Sequence, residues 1–169
     1  RGLPVEHFIA ACNVNDVVPE YLRTEILQPK ETVATISNAM DVGDPSNFVR
    51  ILELFEKEFN QVKSKLSGYT IDDEETLKTI ERVEKDYGYV LDPHGAVAFV
   101  ALEKYLAEKG GKGFFLETAH PVKFPDSVEQ ATGKSVEIPK SLEELMKQEK
   151  FTTEINPQYE ELKEFLLKK

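Results

Sequence analysis

Apolar and polar positions along this chain change period several times, and each change marks a new element. His7-Phe8-Ile9-Ala10-Ala11-Cys12 is a short apolar run that stops at Asn13-Val14-Asn15-Asp16. Such a run predicts a buried strand of a parallel sheet with polar groups at its carboxyl end. Asp16 is the expected cap of a short helix through Tyr21 and Leu22, and β-branched Thr32-Val33-Ala34-Thr35-Ile36 reads as extended. Phe48, Ile51, Leu52, Phe55, Phe59, Val62 and Leu66 then recur at helical spacing behind Asp44-Pro45-Ser46. One amphipathic helix is expected there, ended by Gly68.

A second helix is expected from Asp72, where Glu75 completes a capping-box-like pair ahead of Leu77, Ile80, Val83 and Tyr87, with Gly88 just past its end. Asp92-Pro93 opens a third, whose many small residues suit close packing on more than one side, and Gly110-Gly111 closes it. Gly113-Phe114-Phe115-Leu116-Glu117-Thr118 reads as another core strand. Helical patterns return over Asp126–Thr132, after Ser141 with Glu144, and after Asn156-Pro157, the last carrying Tyr159, Leu162 and Phe165 or Leu166 inward. Strands separated by helices give an α/β class, a partial parallel sheet flanked by helices. Residues 1–137 form the α/β domain in this reading, and residues 138–169 a helical extension packing on it.

Charge narrows the partners. A net charge of −10 speaks against nucleic acid and against an anionic membrane surface. No apolar run reaches the roughly 20 residues that span a bilayer. The single cysteine, Cys12, forms no internal disulfide and suits a reducing cytoplasm. The chain starts at Arg1, not Met, and turns apolar within a few residues, as expected of a domain cut from a longer polypeptide.

Taken alone, the residues offer little catalysis. His7, His94 and His120 lack metal-ligand spacing, so no metal site is expected. Gly110-Gly111-Lys112-Gly113 follows a helix and opens a strand, the reverse of a phosphate loop. Two polar segments stand where open α/β sheets collect ligand contacts. One runs from Ser37 to Asn47 and is equally readable as a loop with helix caps. The other is Thr118-Ala119-His120-Pro121, equally readable as a strand exit stopped by proline.

Four segments occur in a family's order: Asn15-Asp16-Val17-Val18-Pro19; Ala34-Thr35-Ile36-Ser37-Asn38-Ala39-Met40-Asp41-Val42-Gly43-Asp44-Pro45-Ser46-Asn47; Asp92-Pro93-His94-Gly95-Ala96-Val97-Ala98; and Thr118-Ala119-His120-Pro121-Val122-Lys123-Phe124. As a set they resemble the C-terminal portion of the threonine synthases, across nearly the whole chain. The resemblance implies part of a fold-type-II pyridoxal-phosphate enzyme that converts O-phospho-L-homoserine and water to L-threonine and phosphate. It implies Thr118 as a cofactor contact near the pyridine nitrogen. It also implies Ser37, Asn38, Asp41, Ser46, Asn47 and His94 as candidates for the substrate pocket, with Asp44, Ser46 and Asp92 readable as plain caps.

The family's Schiff-base lysine, in a Ser-Phe-Lys-Asp-type segment, and its glycine-rich phosphate loop match nothing in residues 1–169. No catalytic residue is therefore assigned within this chain. It is expected to need the N-terminal part of the same polypeptide, and alone to be inactive and to lose the cofactor. A serine/threonine dehydratase-like relative and a non-catalytic acidic α/β binding module are the alternatives.

Overall fold

A computed structural model describes residues 4–168 and divides the chain into two units, one ending at Glu137 and one starting at Ile138. In the first, β1 (Phe8–Cys12) and β2 (Leu66–Thr70) pair in parallel, Phe8 opposite Leu66 and Cys12 opposite Thr70. Parallel partners need a long crossover. Here it carries α1 (Val17–Thr24), α2 (Val49–Leu54) and α3 (Phe59–Lys65). Three further helices follow: α4 (Asp73–Tyr87), α5 (Pro93–Lys109) and α6 (Pro125–Thr132).

Side-chain alternation along β1 explains the layering. Ala10 packs with Tyr21, Leu22, Phe48, Val62 and Leu66 on one face. Ile9 and Ala11 point the other way, to Ile71, Val97, Val100 and Ala101. Helices therefore cover both faces, as the α/β class requires. A third cluster, Ile80, Val83, Leu91 and Ala96 with Phe99, Phe115 and Ala131, joins α4, α5 and α6. No helix among the described residues is long and apolar enough to cross a membrane.

Caps written in the sequence decide the clean helices. Asp72 accepts the Glu75 N–H at 2.8 Å, and Gly88 ends α4 at φ 66°. Asp92 accepts the His94 N–H at 2.9 Å and the Gly95 N–H at 3.4 Å ahead of Pro93. Gly133 closes α6 in the left-handed region.

Several expectations are corrected. The single amphipathic helix from Phe48 to Leu66 is two, because the chain turns sharply at Glu56 (φ 53°) and Lys57 (φ 62°). Its apolar residues still share one cluster around Tyr21, which is why the spacing looked continuous. Gly68 does not end a helix. It lies within β2, where an added Cβ would meet the Cα of Pro19 at 2.7 Å, so close approach of α1 demands glycine. Thr32–Ile36 and Gly113–Thr118 belong to no strand among the described residues. In the latter, Phe115 and Glu117 are part-buried while Phe114 and Leu116 are 73% and 69% exposed. Phe8, expected inside, is 57% exposed.

The expected caps Asp16 and Asp44 make no side-chain cap bond. Asp16 instead holds Lys30 at 2.5 Å and the Thr70 hydroxyl at 2.8 Å. Backbone strain at Glu56 is testable. Glu56→Gly relieves a left-handed non-glycine residue and is expected to raise the melting temperature by about 2–5 °C, whereas Glu56→Ala leaves it unchanged.

In the second unit, α7 (Lys140–Met146) begins one residue before Ser141, which forms no cap bond. The last helix, α8 (Tyr159–Leu167), starts after Asn156-Pro157, with Gln158 at the cap. The Glu161 carboxylate reaches back to the Asn156 N–H (3.1 Å) and side-chain amide (2.8 Å). Tyr159, Leu162, Phe165 and Leu166 are exposed, not inward, since α8 has no core within its own short unit.

Candidate functional site

β1 ends at Cys12, and the next residues leave the sheet with polar side chains directed into a loop. Asn13 is 1% exposed and Asn15 5%. The Asn13 amide nitrogen lies 2.8 Å from Thr35 Oγ1, 2.8 Å from Asp41 Oδ1 and 3.1 Å from Ser37 Oγ. Its carbonyl oxygen accepts the Asn15 backbone and side-chain N–H groups, both at 2.9 Å. Asn15 in turn grips Val33, donating to its carbonyl at 2.9 Å and accepting its N–H at 2.8 Å. Asp41 takes the Thr35 hydroxyl at 2.7 Å and the Thr35 N–H at 3.0 Å. The Asn15 side chain thus does for Val33 what a neighbouring strand does elsewhere, so Thr32–Ile36 is fixed without a ladder.

Gly43 closes the loop. Its carbonyl takes the Lys30 N–H at 2.8 Å, and an added Cβ would meet Lys30 O at 2.2 Å. Of the predicted pocket residues, the structure draws Ser37 and Asp41 into this internal network and leaves Asn38 exposed on a 3-10 turn, Asn38–Met40. Ser46 and Asn47 sit exposed on a separate turn, Ser46–Phe48, that leads into α2.

His94 joins three of the segments. Its Nε2 accepts the Ala39 N–H at 3.1 Å, so the proton of the ring is on Nδ1, which lies 2.6 Å from Asp92 Oδ1. The Phe124 ring packs against the imidazole with centroids 4.7 Å apart. The loop after β1, the N-terminus of α5 and the Thr118–Phe124 segment therefore meet at one buried imidazole. Thr118 itself is exposed. His120 caps the turn Pro121–Lys123, accepting the Val122 N–H at 3.2 Å.

Two further groups are prominent that the sequence reading did not assign. Glu117 Oε1 accepts the Asp92 N–H at 3.2 Å, and a Cβ on Gly95 would meet Glu117 Oε2 at 2.1 Å. Burial, reinforced by the neighbouring Asp92 carboxylate, pushes Glu117 up to about 8. Burial acts on Asp92 in the same direction, but hydrogen bonds from Glu117 and His94 hold its carboxyl below the usual range. A carboxylate closing an otherwise apolar run, Phe114 to Leu116, was the available signal for Glu117. For Asn13 and Asn15 it was two amides at alternate positions directly after a strand. Burial pushes the Cys12 thiol up to about 12, which leaves it inert at neutral pH.

Glu117 carries a pH prediction. Between its ordinary 4.5 and about 8, the folded chain keeps a proton that the unfolded chain has released. Stability contributed by this group is whole below the lower value and is lost as pH rises through the higher one. Denaturant midpoints are therefore expected to fall between about pH 5 and about pH 9, and Glu117→Gln removes that part of the fall. An unchanged slope in the variant would contradict the assignment.

The fold is α/β, and its polar cluster sits beyond the carboxyl ends of a parallel strand pair, where such sheets hold ligands. Residues 95–166 match the family described as "Threonine synthase, C-terminal". The chain is 48% identical to Escherichia coli threonine synthase over 143 residues, 85% of this chain and 33% of that one. It is 44% identical to the Buchnera aphidicola (Schizaphis graminum) enzyme over 170 residues, 99% of this chain and 38% of that one. The crystal structure of Escherichia coli threonine synthase superposes with a TM-score of 0.84 at 42% identity, covering 98% of this chain and 38% of that one. A pyridoxal-phosphate-bound threonine synthase from Brucella melitensis gives 0.77 at 29%, with 98% and 40% covered. This chain belongs to the threonine synthase family and matches its C-terminal region. It spans little more than a third of the length of these relatives.

Proposed function

We propose that the polypeptide to which this chain contributes converts O-phospho-L-homoserine and water to L-threonine and phosphate with pyridoxal phosphate, and that this chain supplies one wall of a fold-type-II active site. The observation that carries this is the meeting of three family-matched segments at His94, within a chain 44% identical to a threonine synthase over 99% of its length. Pyridoxal phosphate supplies an electron sink when bound.

The donor chemistry fits one edge of that cofactor. Thr118 is exposed beside the part-buried Glu117, and a neutral hydroxyl suits the pyridine nitrogen. Unlike a carboxylate, it does not hold a full proton on that nitrogen, which moderates electron withdrawal. Residues 1–169 contain no segment matching the family's lysine or phosphate loop, so the fit extends to the ring edge alone. Among the pocket candidates, Asn38, Ser46 and Asn47 are exposed and suited to touch substrate. Ser37 and Asp41 have their polar atoms committed to Asn13 and Thr35, so they hold the loop, and His94 fixes it through Ala39. The single cysteine supports a reducing, cytoplasmic setting.

Phosphate release from O-phosphohomoserine by the full-length protein tests the activity. The chain alone, mixed with cofactor and dialysed, is expected to keep no absorbance band near roughly 410 nm, the band that reports a covalently held cofactor. A lasting band would contradict the need for the N-terminal part.

A further inference from the structure

Among the described residues, Glu117 Oε2 is buried without a hydrogen-bond partner. It lies against Gly95 at the start of α5, and the other oxygen of the same carboxyl accepts the Asp92 N–H at 3.2 Å. Two ionised carboxylates cannot satisfy each other, because neither has a proton to donate. A single proton removes the conflict: a neutral Glu117 donates to Asp92, and the orphaned acceptor disappears. The direction in which Glu117 is pushed agrees with this. The other titratable groups facing the pair are His94, through Asp92 Oδ1, and Tyr89 in the α4–α5 connection.

We propose that Glu117 is a positioning residue: as a neutral acid it shares its proton with Asp92 and thereby locks the Thr118 segment to the His94 tautomer that holds the Ala39 loop. The chain of bonds runs from Glu117 O–H to Asp92, from His94 Nδ1–H to Asp92, and from Ala39 N–H to His94 Nε2. Asp92 also caps α5, so one carboxylate ties together the helix start, the imidazole and the segment that carries Thr118. Loss of the Glu117 proton puts a second negative charge beside Asp92, and the two segments separate. A hydroxyl held by this acid keeps its place only while the acid stays neutral. The consequence for Thr118 rests on reading it as the cofactor contact; the acid pair and the tautomer do not.

The test uses the full-length protein in three forms, wild type, Glu117→Gln and Glu117→Val. Infrared difference spectra at about pH 6 are expected to show a carboxylic-acid C=O band in wild type that Glu117→Gln lacks and that fades above about pH 8. Nitrogen shifts of labelled His94 are expected to report a protonated Nδ1 and bare Nε2 in wild type and Glu117→Gln, and a mixture of tautomers in Glu117→Val. For phosphate release, Glu117→Gln is expected to keep kcat within about threefold and to lose the wild-type decline at high pH, while Glu117→Val loses about tenfold in kcat with KM little changed. Absence of the acid band, or a His94 tautomer indifferent to Glu117→Val, overturns the proposal. So do equal kcat losses in both variants. If the full-length protein releases no phosphate from O-phosphohomoserine, the function reading fails, and the infrared and His94 results still decide this one.

Discussion

Asn13→Leu is expected to cost about 3–5 kcal/mol of stability, a large share of what holds a domain of this size together. The side chain is 1% exposed and every polar atom it carries is used. Leucine keeps the branched shape and the number of side-chain heavy atoms, so the main loss is of hydrogen bonds. What is lost is the acceptor for two Asn15 N–H groups and the donor to Asp41, Ser37 and Thr35. The Asn15 backbone N–H is left buried and unpaired, which costs about 1–3 kcal/mol, and Asp41, Ser37, Thr35 and the Asn15 side chain each lose one of their several bonds. Asn13→Asp is a sharper probe, since it sets a second carboxylate where the amide now stands 2.8 Å from Asp41. That variant is expected to regain stability as pH falls, which Asn13→Leu does not. Denaturant unfolding of the three forms across pH checks both statements.

Asp92→Ala is expected to cost about as much, roughly 3–4 kcal/mol, by a different route. The residue is fully buried, and its removal uncaps α5, leaving the His94 and Gly95 N–H groups without their acceptor. The His94 Nδ1–H also loses its partner in the same place. The ring is then free to invert its tautomer, and Ala39 loses its acceptor in turn. Asp92→Asn separates these contributions. It keeps the cap and the shape but removes the negative charge beside Glu117, so Glu117 is expected to titrate below its wild-type value of about 8 while burial, the larger cause, still holds it above the ordinary 4.5. Carboxyl carbon shifts followed by NMR measure that value in wild type and variant.

How much of this was legible in the sequence depends on whether the cause was local. The helices α4, α5 and α6 were readable because Asp72, Asp92, Gly88 and Gly133 act within a few residues of themselves. The break at Glu56 and Lys57 was not, because nothing in those residue types announces a left-handed backbone and the apolar spacing continues across it. Residues 66–70 have the local pattern of a helix end, yet Leu66–Thr70 pairs with β1, a contact 58 positions away in register (Leu66 against Phe8). Gly113–Thr118 has the composition of a strand but pairs with none described, and pairing is a property of the partner as much as of the segment.

The polar loop shows the same division. Its residue types marked it as a place for ligand contacts. Which side chains are committed inward, Ser37 and Asp41, and which stay exposed, Asn38, Ser46 and Asn47, follows from Asn13 and Asn15 two dozen residues earlier. Glu117 is not legible in the sequence because a lone carboxylate after an apolar run says nothing of the aspartate it meets 25 positions back.

The measurement that bears most directly on the central claim is the rate of phosphate release from saturating O-phosphohomoserine by the full-length protein, wild type against Thr118→Val. The account predicts that wild type releases phosphate and that the variant, with the hydroxyl lost and the shape kept, is slower by about tenfold or more. Equal rates in the two forms, or no release by wild type, would contradict it.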